Sequence, residues 1–233
     1  MDEFSAYIIN LESRRDRRTE MERQLRRAGW RAEFFSAVRP AEAGDFQTIG
    51  TRGCFLSHLG VLRHASHDKH LVIMEDDLNF VSGFPDLWSA AFQELQKKNW
   101  SIFYPGHVVE TAPAGLYQIN PSNGVWCAHF MMVNKDAISS IADALEAMLS
   151  RPSGHPLGGP MHVDAAYNLI RKQNPQLTTY LYSPSLGYQR ASRSDISAHR
   201  WYDRIEHLRP VVDFLRKFKK IGTHSQPEDF TRL

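Results

Sequence analysis

Apolar and polar positions alternate through the first third of the chain in a strand–helix rhythm. Ala6–Asn10 is a short apolar run with the length of a strand. Ser13, with Asp16 three residues on, is placed to cap a following helix, whose apolar positions Leu11, Met21, Leu25 and Ala28 fall on one face. Gly29 supplies its end. The pattern then predicts a strand over Trp30–Val38, a loop over Pro40–Arg52, a helix over Gly53–Ser66 and a strand over His70–Met74. That last run is continuously apolar, as a strand covered on both faces must be. Strand–helix–strand–helix–strand with short connections is the signature of a doubly wound, mostly parallel sheet flanked by helices.

The second half is less regular. Helices are predicted over Leu87–Lys98, Lys135–Leu149 and Asp164–Lys172. Strands are predicted over Ser101–Tyr104, Leu116–Ile119, Val125–Val133 and Leu177–Tyr182, the middle two lying across the turn Pro121–Gly124. Ser183–Arg200 reads as irregular, and Trp201–Ile221 as a mostly helical terminal segment. The expected division is residues 1–200 as one α/β domain, with a nucleotide-binding half (1–105) and an acceptor half (106–200), followed by a C-terminal helix and tail (201–233).

Composition narrows the class. Of 233 residues, 42% are hydrophobic and 23% charged, enough to build a core and too apolar for a disordered chain. A net charge of +2 gives no case for nucleic acid as a partner. Two cysteines cannot form a disulfide framework, so a reducing, cytoplasmic setting is expected. The acidic start, Met1-Asp2-Glu3, lacks the basic and apolar regions of a secretory signal, and no apolar run reaches the length of a membrane span.

In doubly wound sheets, ligands bind beyond the carboxyl ends of the strands. Two such ends carry chemistry here. Glu75-Asp76-Asp77 follows the apolar strand. Three adjacent carboxylates call for a compensating cation, and oxygen donors favour Mn²⁺ or Mg²⁺, which also bridge diphosphates. A solvated acidic turn is the plainer alternative. Asn10-Leu11 leads into Ser13-Arg14-Arg15-Asp16-Arg17-Arg18, where a helix N-terminus and arginines offer donors to a phosphate or a base. Ser57 and His58 are sequence neighbours and therefore point about 100° apart on a helix. They cannot act as a nucleophile–base pair, which argues against a hydrolase, but either can bond a nucleotide. Asp164 sits at a helix start, either as a cap or as a carboxylate aimed into the cleft to take a proton from a hydroxyl. There is no dinucleotide glycine fingerprint and no phosphate-loop motif.

The stretches IINLESRRDRR (8–18), GCFLSHLGVLR (53–63), LVIMEDD (71–77), HVDAAYNLI (162–170) and SPSLGYQRASRSDI (183–196) together resemble glycosyltransferase family 25, which includes bacterial lipooligosaccharide and collagen galactosyltransferases. Ala128-His129-Phe130 departs from it, since the family usually has a small residue and a tyrosine there. The resemblance implies a GT-A-like fold, a UDP-sugar donor, typically UDP-galactose, a divalent metal (Mn²⁺ or Mg²⁺) and inversion at the anomeric carbon. It implies Asp77 and Asp76 as metal ligands. Asn10, Arg14, Ser57, His58, Glu75 and Asp76 are implied as nucleotide-sugar contacts, and Gln189, Ser194 and Asp195 as cleft residues. Asp164 is implied as the catalytic base. The acceptor is expected to be a glycan or glycolipid, such as lipooligosaccharide or another surface polysaccharide. Two readings stand beside this one: a nucleotidyltransferase, and a catalytically inactive nucleotide-sugar-binding domain. Residues 204–221 combine an apolar stripe with Arg204, Arg209, Arg216, Lys217, Lys219 and Lys220, so peripheral contact with the inner membrane surface is an expectation alongside simple packing.

Overall fold

The computed structural model describes residues 3–109 and 113–190. The elements in order are β1 (Phe4–Asn10), α1 (Arg15–Ala28), β2 (Glu33–Ser36), α2 (Ile49–His64), β3 (His70–Glu75), β4 (Leu78–Phe80), α3 (Phe84–Leu95), β5 (Ile102–Val108), β6 (Gly115–Ile119), β7 (Trp126–Val133), a 3₁₀ turn (Lys135–Ala137), α4 (Ile138–Leu149), α5 (Val163–Gln173), β8 (Thr179–Ser183) and β9 (Gly187–Gln189). Seven strands form one sheet in the order β2-β1-β3-β7-β5-β8-β6. The pairings make β1, β2, β3, β5 and β8 run one way and β6 and β7 the other. The sheet is therefore mixed but mostly parallel.

Helices cover both faces, and the period of two along β3 shows how. Leu71 and Ile73 pack with Phe55, Leu59 and Leu62 of α2, Ile141 and Leu145 of α4 and Tyr167 of α5. Val72 and Met74 pack on the other side with Met21 and Leu25 of α1 and Phe84, Trp88 and Phe92 of α3. Burial of alternate residues on opposite faces is why β3 reads as an unbroken apolar run. Each fully buried large aliphatic or aromatic side chain contributes about 1.5–3 kcal/mol to this core.

Three local expectations change. α1 has no side-chain cap: its N-cap is Arg14, and Asp16 instead accepts two bonds from the Arg14 guanidinium, each 3.0 Å. Gly29 does end the helix in the left-handed conformation, φ 63°. α2 begins at Ile49 rather than Gly53, capped by Thr48, whose hydroxyl accepts from the Thr51 amide at 3.0 Å. Gly50 and Gly53 are poor helix formers and hide this first turn from a propensity reading. Gly53 is there for clearance, because a Cβ on it would lie 2.7 Å from the Val38 carbonyl oxygen. Third, β6 and β7 exist but do not pair with one another. β7 enters antiparallel between β3 and β5, while β6 lies at the edge beside β8.

The segment read as irregular after Ser183 contributes β9, which pairs antiparallel with β4 as a separate two-stranded ribbon. Ser194, Asp195 and the basic stripe of 204–221 lie outside the described residues, as does the whole of 201–233. Among the described residues, no helix is long and apolar enough to cross a membrane.

Candidate functional site

The carboxyl end of β3 is where the chemistry gathers, and strand alternation distributes it. Continuing the order Leu71, Ile73, Glu75 puts Glu75 on the α2–α5 face. Its Oε1 lies 3.4 Å from His58 Nε2 and accepts from the Cys54 thiol at 3.9 Å. Asp76 turns to the α1 face, where it is 6% exposed. There Arg17 Nη1 donates to its Oδ1 at 2.7 Å and Asn10 Nδ2 to its Oδ2 at 2.7 Å. Arg17 also reaches Asp77 Oδ2 at 3.7 Å. Both Asp76 oxygens are thus committed to protein donors. Asp76, expected as the second metal ligand, ties the end of β1 to α1 through these bonds. Asp77 Oδ1 is buried with no hydrogen-bond partner among the described residues.

The backbone of this turn is held from the ribbon. Arg190 Nη2 donates to the Asp76 carbonyl at 2.5 Å, and the Arg190 amide donates to the Asp77 carbonyl at 2.7 Å. Gln189, expected as a cleft residue, donates from Nε2 to Glu75 Oε2 at 3.4 Å.

Electrostatics follow from this crowding. Burial, then the Asp76 charge, pushes Glu75 above the usual carboxylate range. Burial, then the Glu75 charge, does the same to Asp77. Burial lowers His58 to about 4, so its imidazole is neutral near pH 7. His58 Nδ1 lies 3.3 Å from the Tyr167 hydroxyl, which fixes the ring between α5 and β3. Cys54, His58 and Glu75 offer three ligand atoms within 4.8 Å of one another.

Asp164 stands on the second residue of α5, after the N-cap His162. It is not the cap. Its Oδ1 accepts from the Ala128 amide at 3.0 Å and its Oδ2 from the Cys127 amide at 3.2 Å. Cys127 is the one described non-glycine residue with positive φ, at 72°. The carboxylate therefore holds the start of β7 in a conformation that side chains disfavour. Asp164 is only partly buried as a residue. Burial raises it to about 6, helped by the Glu75 charge and opposed by the two amides and His58. Burial, then the charges of Asp164, Glu75 and Asp77, pushes the Cys127 thiol up.

Other expected residues have different occupations. Ser57 Oγ donates to the Gly53 carbonyl at 2.6 Å and accepts from the Val38 amide at 2.8 Å, pinning the loop that follows β2. Asn10 is buried under Asp76, and Arg14 is bound to Asp16. His129 is buried, with Nε2 3.4 Å from the Gly187 carbonyl, and burial lowers it to about 4. The sequence reading did not single out Arg190, Tyr167 or Cys54. Cys54 and His58 are four apart on one helix, so their shared face was readable. Arg190 carried no signal, because the ribbon that delivers it pairs residues more than a hundred positions apart.

Residues 4–112 match the family described as Glycosyltransferase family 25 (LPS biosynthesis protein). A glycosyltransferase 25 family member from Aedes aegypti is 27% identical over 124 residues, covering 43% of this chain and 20% of that protein. The match thus spans about a fifth of the relative's length. Among solved structures, a glycosyltransferase involved in glycosylating the major capsid of PBCV-1 aligns with a TM-score of 0.41 and 12% identity, over 78% of this chain and 94% of that one. A Drosophila β-1,4-galactosyltransferase 7 mutant, in complex with manganese, UDP-Gal and xylobiose, aligns with a TM-score of 0.41 and 10% identity, over 89% and 79%. An inositol-1-phosphate CTP transferase from T. maritima aligns with a TM-score of 0.40 and 10% identity, over 96% and 79%. The segment 4–112, which includes the acidic end of β3, is thus similar to glycosyltransferase family 25.

Proposed function

We propose that this chain transfers a sugar, galactose foremost, from a UDP-sugar to a hydroxyl of a glycan or glycolipid acceptor, with inversion at the anomeric carbon. The family's description as an LPS biosynthesis protein supports a lipooligosaccharide or other surface polysaccharide as that acceptor. The reading includes a GT-A-like layout and a location in the cytoplasm, at the inner membrane surface where such an acceptor is presented.

The observation that carries the proposal is the acidic end of β3 within the segment similar to the family, where Asp77 keeps a buried oxygen with no partner among the described residues. The donor set fits a hard dication, Mn²⁺ or Mg²⁺: among the described residues, Asp77 has a buried oxygen without a partner, and the second oxygen of Glu75 accepts one long bond, from Gln189. Asp77 and Glu75 would hold the ion, which supplies positive charge against the diphosphate as it leaves. Asp76 does not join them. It orients the turn through Arg17 and Asn10, so that its two neighbours are aimed at the cleft.

Asp164 takes the proton from the acceptor hydroxyl at the carboxylate. The amides of Cys127 and Ala128 hold that carboxylate in place and leave lone pairs for the incoming proton. Its raised pKa, about 6, keeps it ionised near neutrality and makes it a stronger base than an ordinary aspartate. Inversion by direct displacement needs one such base and no covalent sugar–enzyme intermediate.

Release of UDP from a panel of UDP-sugars, with and without Mn²⁺, tests the reading. Mn²⁺-dependent release, fastest with UDP-galactose and accelerated by a glycan acceptor, is expected. Pyrophosphate release from a nucleoside triphosphate would instead make this a nucleotidyltransferase. Binding of UDP-sugar without turnover would make it a nucleotide-sugar-binding domain.

A further inference from the structure

We propose that Cys54, His58 and Glu75 form a second metal site, built for Zn²⁺, which uses Oε1 of Glu75 and adjoins the oxygen-donor site at Asp77 and the other oxygen of Glu75. Cys54 and His58 are four residues apart on α2 and so share one helix face, which looks onto the end of β3. Glu75 Oε1 lies 3.4 Å from His58 Nε2 and 3.9 Å from Cys54 Sγ, and all three ligand atoms fall within 4.8 Å of one another. With Zn–S near 2.3 Å and Zn–N and Zn–O near 2.1 Å, the edges of a tetrahedral site come to about 3.4–3.6 Å. The triad therefore closes on an ion with movements of an ångström or less at the side-chain ends.

The surroundings supply what a zinc site needs. The far nitrogen of His58 is 3.3 Å from the Tyr167 hydroxyl, which orients the ring so that Nε2 faces the ion. Tyr167 and His58 are fully buried, so this orientation is fixed by packing. The sulfur and imidazole donors select Zn²⁺ over Mn²⁺ or Mg²⁺, which prefer oxygen ligands. Three protein ligands leave one position for water or a substrate oxygen. Binding breaks the Cys54 S–H bond, forms an S–Zn bond and releases one proton to the buffer. Through Glu75 and Tyr167 the ion would fasten α2 to β3 and α5, making a rigid floor under the acidic end of the sheet.

The inference does not depend on the donor substrate, and its test does not read activity. The metal-free full-length chain is titrated with Co²⁺, a spectroscopic stand-in for Zn²⁺. One equivalent is expected to produce a thiolate-to-cobalt charge-transfer band that Zn²⁺ abolishes and Mn²⁺ does not. Cys54→Ser is expected to remove the band, while Cys127→Ser and Asp77→Asn keep it. Tyr167→Phe is expected to weaken binding by about 10–100-fold. Zn²⁺ is also expected to protect Cys54 of the unmutated chain from alkylation, mapped by mass spectrometry, which needs no variant to fold. A cobalt titration without a thiolate band, a band that depends on Cys127, or unchanged alkylation of Cys54 with Zn²⁺ present would each overturn the proposal.

Discussion

Replacing Asp164 by asparagine separates its two roles, because they respond differently to pH. In the folded chain its carboxyl is raised from 3.8 to about 6, so the ionised form carries a penalty of about 3 kcal/mol relative to the unfolded chain. The sign follows from linkage. A raised acid favours the folded state below the unfolded pKa, and that advantage is lost as pH rises through the folded value. The penalty is complete near pH 8 and only about half a kcal/mol near pH 4. Asparagine never ionises, so it escapes the penalty. It has one carbonyl oxygen for two amides, however, and turns its NH₂ toward the other, at a cost of about 1–3 kcal/mol. The variant is therefore expected to match the wild type near pH 8, or to exceed it by up to about 2 kcal/mol. Near pH 4 it is expected to be less stable by about 0.5–2.5 kcal/mol. Turnover is expected to fall by about 10²–10⁴-fold above pH 6, where the wild-type carboxyl is ionised, and by less at lower pH. Wild-type turnover is expected to rise with pH through about 6, a value raised by burial and the Glu75 charge and opposed by the Ala128 amide, His58 and the Cys127 amide. Urea unfolding at both pH values, beside initial rates of UDP release, checks the reasoning. A variant that loses several kcal/mol at pH 8, with activity falling only as the folded fraction falls, would refute it.

Other expectations concern the groups around Asp164. Asp77→Asn is expected to abolish Mn²⁺-dependent UDP release while the urea midpoint stays at or above that of the wild type, since it removes a crowded buried charge; full Mn²⁺-stimulated activity would exclude Asp77 as a ligand. Arg17→Met strips the cation from the buried Asp76 carboxylate and is expected to cost about 3–5 kcal/mol in chemical denaturation. Gly53→Ala sets a Cβ against the Val38 carbonyl and is expected to cost about 1–3 kcal/mol, a drop of roughly 2–12 °C in Tm by thermal unfolding.

What the sequence determined by itself was whatever depends on short-range pattern. The apolar run of β3 predicted a central strand because both of its faces are covered, and the position of Glu75-Asp76-Asp77 at its carboxyl end followed from chain direction alone. The ends of α1 at Gly29 and α4 at Leu149 were equally local. Only the tertiary structure decided which carboxylate faces what. Strand alternation sends Glu75 toward α2 and Asp76 toward α1, but the partners waiting there, His58 and Arg17, become neighbours only when helices pack on opposite faces. The same holds for Asp164. A helix start fits either a cap or a cleft carboxylate, and the choice was made by β7, whose amides arrive from 36 and 37 residues away. Arg190 reached the acidic turn through a two-stranded ribbon with no periodic pattern to announce it. Local pattern fixes elements because backbone geometry is periodic, whereas a site built from several elements depends on side-chain packing between residues that no short window contains.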